Sequence, residues 1–442
     1  MPIRMNTVVV FGDSLSDIGN KWVTKSGRLA RHFNQVRVSP SGRFSDCRTW
    51  TDYMYEAATG GTLIVDSAAA TIKLSRQHTS YGSKNCMAQY ASYGKRSEGA
   101  PPPFGYANYA EGGACGYRPV EKARFLGTFE DQVDAFEQDC MASHLPLRDT
   151  LFIIWFGAND LYTSNRRADQ MHLVADEVAK RQRNRLVDIF KKQNHRKRQP
   201  TPAAPQPNRL VQLFKKPNQQ PMSLPESEIP SPYACKFVFV DMCTPLSSVR
   251  YANRLQRAEQ RPKSDLGHAG LYMAPADSKR RLSGATDTLR QAEDQGLRAA
   301  KLRAQIDDVK NLEDGVNRYN QALAALAGAN KDRVVKLGEF ISEDTIAQLV
   351  LTPDCRLKVG AMKSSVKKHI AAWDYDKETE AHPVAIIDEV HPTDHVHKLI
   401  WREILKQIRA SDCTFGLLDP LEEDDSPFDL GQEMKKKAEM KK

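Results

Sequence analysis

The chain has 442 residues and a formal net charge of +9, with 40% hydrophobic and 27% charged residues and a mean hydropathy of −0.56. That is a globular composition, long enough for one large domain or two ordinary ones. Eight cysteines with no CxxC pair exclude a disulfide scaffold and argue against a zinc site.

The first element is carried by residues 7–20, TVVVFGDSLSDIGN. The apolar run Val8-Val9-Val10-Phe11 reads as a buried strand that stops at Gly12-Asp13-Ser14. Residues 151–156, 236–241 and 333–337 read as three further strands. Helical periodicity is expected over 127–141, 171–192, 307–328 and 394–408. Strands alternating with helices predict a parallel α/β sheet.

Two segments interrupt that pattern. Residues 199–232 hold nine of the 24 prolines, and about 193–233 is expected to be a poorly ordered basic insertion. Residues 250–300 are charged and expected to be helical in part, as a second insertion. Residues 191–216 carry eight Lys or Arg and no acid, and residues 250–310 carry thirteen basic and eight acidic residues. The positive charge is therefore local to the middle of the chain. Residues 411–442, an acidic block followed by a basic one, are expected to be a flexible charged tail, which leaves 1–410 as a single domain.

A parallel sheet binds ligands beyond the carboxyl ends of its strands, and Ser14 lies just past the first such end. A serine there is a nucleophile if a base reaches it, and otherwise an ordinary helix N-cap. His391, in IIDEVHPTDHVHKLI, follows a short apolar run and precedes a helix. Asp388 stands three residues before it, a spacing that in a turn can bring a carboxylate to the imidazole Nδ1. The plain alternative is a surface-loop histidine, as His395 and His397 nearby could also be. Asn159, in WFGANDLY, falls past the second strand on the same predicted edge as Ser14, and a side-chain amide there suits an oxyanion. Gly112 and Gly113, in NYAEGGACG, offer backbone N–H groups in a loop. Taken alone, Gly-Gly is also a common turn, and Asn-Asp a common helix cap.

Together, and in this order, these stretches resemble the blocks of the SGNH or GDSL-type esterases and lipases. FGDSLSDIGN is similar to the nucleophile block, NYAEGGA to the glycine block, GAND to the asparagine block and DEVHPT to the Asp-x-x-His block. SGRFSDCRTWTDYM, residues 41–54, is similar to a further stretch that many members carry, with Cys47-Arg48 where many have a glycine. The resemblance covers roughly residues 5–165, 234–249 and 305–410. It implies a flavodoxin-like three-layer α/β/α sandwich and a two-step acyl transfer with no cofactor and no metal. By position it makes Ser14 the nucleophile, His391 the general base and Asp388 the carboxylate that orients it. Ser14, Gly113 and Asn159 would form the oxyanion hole, with Gly113 preferred to Gly112. Asp160 is a rival for the third triad member and is expected to be structural instead.

The resemblance is strongest to a bacterial branch of phospholipases A and glycerophospholipid:cholesterol acyltransferases that includes secreted effectors. It implies a phospholipid or other acyl-ester substrate, cholesterol as a candidate acceptor, and a host activating protein as a candidate partner. The absence of a leader pattern and of any 18-residue apolar run fits a chain exported without a cleaved signal, or a cytoplasmic one. Basic residues interleaved with Leu210, Val211, Leu213 and Phe214 fit contact with an anionic membrane surface. A solvated linker is the plainer reading of them and the preferred one, a docking segment is a third, and nucleic acid is not the expected partner. The alternatives are an esterase for carbohydrate or other small esters and a non-catalytic binding protein on a hydrolase fold.

Overall fold

The computed structural model describes residues 3–24, 42–45, 48–59, 63, 105–118, 126–141, 147–164, 166–196, 233–243, 297–337, 391–392, 394–409 and 413–415. In chain order these form β1 (Ile3–Met5), β2 (Thr7–Gly12), the short helix α1 (Asn20–Val23), α2 (Trp50–Thr59), β3 (Gly105–Asn108), α3 (Phe129–Met141), β4 (Thr150–Trp155) and α4 (Ala158–Tyr162). There follow α5 (Met171–Asp176) and α6 (Arg183–Arg196), joined by a π-helical stretch, Glu177–Gln182. The rest is β5 (Cys235–Val240), α7 (Leu297–Ala329), β6 (Arg333–Val335), α8 (Asp394–Arg409) and β7 (Cys413–Phe415).

Five strands make one wholly parallel sheet in the order β3-β2-β4-β5-β6. Every pairing is parallel, so each crossover leaves the sheet through connecting chain on one face or the other. The strand order reverses at β2, whose carboxyl end lies beside those of both β3 and β4. That is the crevice where doubly wound sheets place their ligands.

Alternation along the strands builds two cores. Val9, Phe11, Phe152, Ile154, Phe237 and Phe239 face α3, α5, α6 and α7, which contribute Phe136, Val174, Leu186 and Tyr319. Val8, Val10, Ile153, Trp155, Val238 and Val240 face α2 and α8, which contribute Trp50, Met54, Ile400, Trp401 and Ile404. Each strand is apolar on both sides because helices cover both sides. The result is the expected three-layer α/β/α sandwich.

Several boundaries differ from expectation. The basic insertion expected from 193 starts later, because α6 runs on to Arg196 with Gln193 and Asn194 buried, and their polar identity hides that burial from a hydropathy reading. The charged insertion expected over 250–300 gives way to α7 at Leu297. Cys413–Phe415, expected in a flexible tail, pairs in parallel with Ile3–Met5 as a separate two-stranded sheet. Three residues are too few to show a period. The strand β3 was not expected at all. It is a four-residue edge strand beginning on glycine, with no apolar run to announce it. The bulk of both insertions lies outside the described residues.

Candidate active site

β2 delivers Gly12 to the sheet edge, and the chain then turns. The Asp13 carbonyl accepts the Ser16 N–H at 3.1 Å, while its Oδ1 accepts the Leu15 N–H at 3.0 Å. Ser14 rides at the top of this turn, half-buried. From α3, the Gln132 side-chain amide grips both sides of Gly12: its Oε1 accepts the Gly12 N–H at 3.1 Å and its Nε2 donates to the Gly12 carbonyl at 2.7 Å. The turn is therefore fixed two residues before the serine.

His391 meets it from the far end of the sequence. Its Nε2 stands 2.9 Å from Ser14 Oγ, within the range for an O–H···N hydrogen bond. The Phe44 ring packs against the imidazole with centroids 5.1 Å apart. Phe44 belongs to the segment 42–45, which is anchored from below. Arg43, fully buried, makes an ion pair with Asp52 of α2 through Nη2–Oδ1 at 2.6 Å and Nε–Oδ2 at 3.2 Å. Burial works against the Asp52 carboxylate, but the Arg43 charge and the Thr49 groups hold its pKa below the ordinary value. Asp388 lies outside the described residues.

The glycine block follows β3 and is held from both ends. Asp17, buried after the Ser14 turn, accepts the N–H of Gly112 at 2.8 Å together with those of Gly19, Asn20 and Lys21. Burial raises its carboxyl to about 7, against the pull of those amides. Asp160, buried on α4, accepts the N–H of Gly116 at 2.6 Å and of Tyr117 at 3.1 Å. Burial raises it to about 7 as well. Asp17 thus ties the start of the glycine block to the chain after Ser14, and Asp160 ties its end to α4.

Between these anchors, Gly113 has φ +82°, a left-handed conformation natural to glycine. Its N–H finds no acceptor among the described residues, whereas that of Gly112 is taken by Asp17. Gly112 is needed for space: a Cβ there would stand 2.3 Å from the Phe44 ring. Asn159 opens α4 just past β4, and its Nδ2 reaches Asp13 Oδ2 at 3.3 Å and the Ala114 carbonyl at 3.2 Å. Its Oδ1 accepts from Thr163 Oγ1 at 2.9 Å, which sets the amide's orientation.

Ser14, Gly113, Asn159 and His391, four residues spread over 378 positions of sequence, are thus drawn to one edge of the sheet. The model of the GDSL-like Lipase/Acylhydrolase family matches residues 8–404. The chain belongs to this family. No curated protein matches the chain at a significant level. The GDSL block therefore marks an acylhydrolase that attacks acyl esters through a serine. Among the described residues, no helix is long and apolar enough to cross a membrane.

The supporting residues Asp17, Gln132 and Phe44 were not singled out from sequence. Asp17 and Phe44 sit inside quoted blocks but carry no signal of their own. Gln132 bonds to Gly12 across 120 residues, which no local pattern reveals.

Proposed function

We propose that this GDSL acylhydrolase cleaves acyl esters of glycerophospholipids, with Ser14 as nucleophile and His391 as general base. The observation that carries the catalytic assignment is the 2.9 Å contact between His391 Nε2 and Ser14 Oγ. As Oγ attacks the ester carbonyl, Nε2 takes its proton. The carbonyl π electrons move to oxygen, and the N–H groups of Ser14 and Gly113 and the Asn159 amide receive that negative charge. Collapse breaks the bond to the alcohol, which leaves with the proton held on His391. Water, deprotonated by His391, then releases the fatty acid and restores Ser14. In this scheme Asp388 orients the ring and stabilises the imidazolium without itself taking the proton.

The phospholipid class rests on the resemblance of the nucleophile and glycine blocks to the phospholipase and acyltransferase branch, and on the basic, Leu/Phe-containing run at 191–216. Cholesterol could replace water in the second step by presenting its hydroxyl to the same base.

The test uses phosphatidylcholine vesicles containing cholesterol, with wild type and Ser14→Ala, reading fatty acid and cholesteryl ester together. Fatty acid that depends on Ser14 supports the reading, and Ser14-dependent cholesteryl ester adds acyl transfer. Turnover of soluble short esters alone, with or without host cytosol, sinks the phospholipid assignment and favours a small-ester esterase. Ser14→Ala is expected to lower kcat at least about 10³-fold.

A further inference from the structure

Asp13 has no part in that scheme, yet it is bonded directly to the reacting serine in the chain and is buried. Both its carboxylate oxygens point at donors. Oδ1 accepts the Leu15 N–H at 3.0 Å and Oδ2 accepts Asn159 Nδ2–H at 3.3 Å. One group therefore touches the turn that carries the nucleophile and the side chain that completes the oxyanion hole. We propose that Asp13 is a positioning residue, whose two oxygens set the Asn159 amide and the Ser14 turn in register for the oxyanion. The inference rests on the catalytic reading above.

The chemistry of the pair is specific to a carboxylate. Asp13 accepts on both sides, and an amide in its place could accept on only one. Turned either way, its NH2 would face an N–H group. The second Asn159 proton meets the Ala114 carbonyl at 3.2 Å, the long end of the normal range, and is the one an oxyanion takes over. Asp13 keeps the other, so Asn159 does not swing as the charge forms.

Asp13 is also a group that changes charge in the working range. Burial raises its carboxyl to about 6, opposed by the Leu15 N–H and by the charge of His391. Asp160 on α4, Tyr319 on α7 and Cys115 of the glycine block are the other titratable groups that feel its charge. As pH falls through about 6, Asp13 gains a proton and one acceptor is lost.

The experiment is a double-mutant cycle on a soluble p-nitrophenyl acyl ester, with Asp13→Asn, Asn159→Ala and the pair. Asp13→Asn is expected to lower kcat about 10²-fold with KM within about twofold, approaching the loss of an oxyanion donor. Asn159→Ala should lower kcat by a similar or larger factor, and adding Asp13→Asn to it should cost no more than about threefold. Full multiplication of the two losses would show that Asp13 does not act through Asn159 and would overturn the proposal. A second arm needs no Asp13 variant. The acid limb of log kcat against pH should be steeper than one proton in wild type and fall to one in Asn159→Ala. Limbs of the same steepness overturn the proposal. A fluorophosphonate that labels a serine other than Ser14 in wild type overturns the catalytic reading itself, a result distinct from either of these.

Discussion

The donor side and the base side of this site are held by different forces. Ser14, Gly113 and Asn159 sit on strand ends and loops tied by buried hydrogen bonds: Gln132 to Gly12, Asp17 to Gly112, Asp160 to Gly116 and Tyr117. His391 meets Ser14 by one hydrogen bond and leans on an aromatic ring, Phe44, that is itself propped on a buried ion pair. Hydrogen bonds fix direction as well as distance, which an array of oxyanion donors requires. Ring packing fixes the position of the imidazole beside Ser14. The donors are thus preorganised, and the base is placed.

The sharpest way to break that contrast is to remove the base and, separately, the carboxylate proposed to orient it. His391→Ala should lower kcat at least about 10³-fold. Asp388→Asn should cost less, because Phe44 packing and the contact with Ser14 still place the ring. Steady-state kcat on a soluble ester, with circular dichroism to check the fold, measures both. Equal losses with intact folds would mean that placement of the base depends wholly on residue 388.

Gly112 lies where the two sides touch. Its N–H belongs to Asp17, but its missing side chain makes room for Phe44. In Gly112→Ala, a Cβ 2.3 Å from the ring forces Phe44 to move, and His391 with it. Overpacking of this kind costs roughly 1–3 kcal/mol. We expect that loss in urea denaturation together with a kcat lower by about tenfold, as expected when a base moves out of line. Phe44→Leu should shrink the kcat penalty of Gly112→Ala. A penalty of unchanged size would place the damage in the Asp17 bond, on the donor side.

How much of this was legible in the sequence follows from the range of each interaction. β2, β4 and β5 announce themselves as apolar runs, and Ser14 and Asn159 follow the ends of β2 and β4 by two and four positions. β3 carries the glycine block and escapes notice, since Gly105–Asn108 has neither a run nor an alternation long enough to read. Ser14, Gly113, Asn159 and His391 were legible because each sits in a short motif beside a strand end or a helix start. Asp13 and Asp17 stand in the same motif as Ser14, but Asp17 meets Gly112 across 95 residues and Asp13 meets Asn159 across 146. A carboxylate that binds a distant backbone N–H, as Asp17 does at Gly112, asks nothing of the sequence there, and the side-chain amide that Asp13 meets stands in a separate motif with no local tie to it. Likewise the π-helical turn at Glu177–Gln182 left the period of the 171–192 helix close enough to 3.6 to be read as one element.

The smallest effect concerns stability on the base side. His397 lies on α8, wholly buried, with neither ring nitrogen hydrogen-bonded among the described residues. Burial pushes its pKa down to about 3, against the attraction of Asp52. The unfolded chain takes up that proton near pH 6.5, while the folded chain does not until about 3. Its contribution is therefore complete above pH 6.5 and is lost as pH falls toward 3, by at most about 1.4 kcal/mol per unit. The buried carboxyls Asp13, Asp17 and Asp160 run the other way: their raised values make ionisation costly to the fold, so protonating them at lower pH relieves it. Between pH 7 and 5 three acids outweigh one histidine, so these four groups together should stabilise wild type on acidification, with His397 reducing the gain. His397→Leu removes the opposing arm, so urea unfolding at pH 7 and pH 5 should show the variant gaining more on acidification than wild type. The same change in both would mean that His397 takes up its proton in the folded state as readily as in the unfolded one.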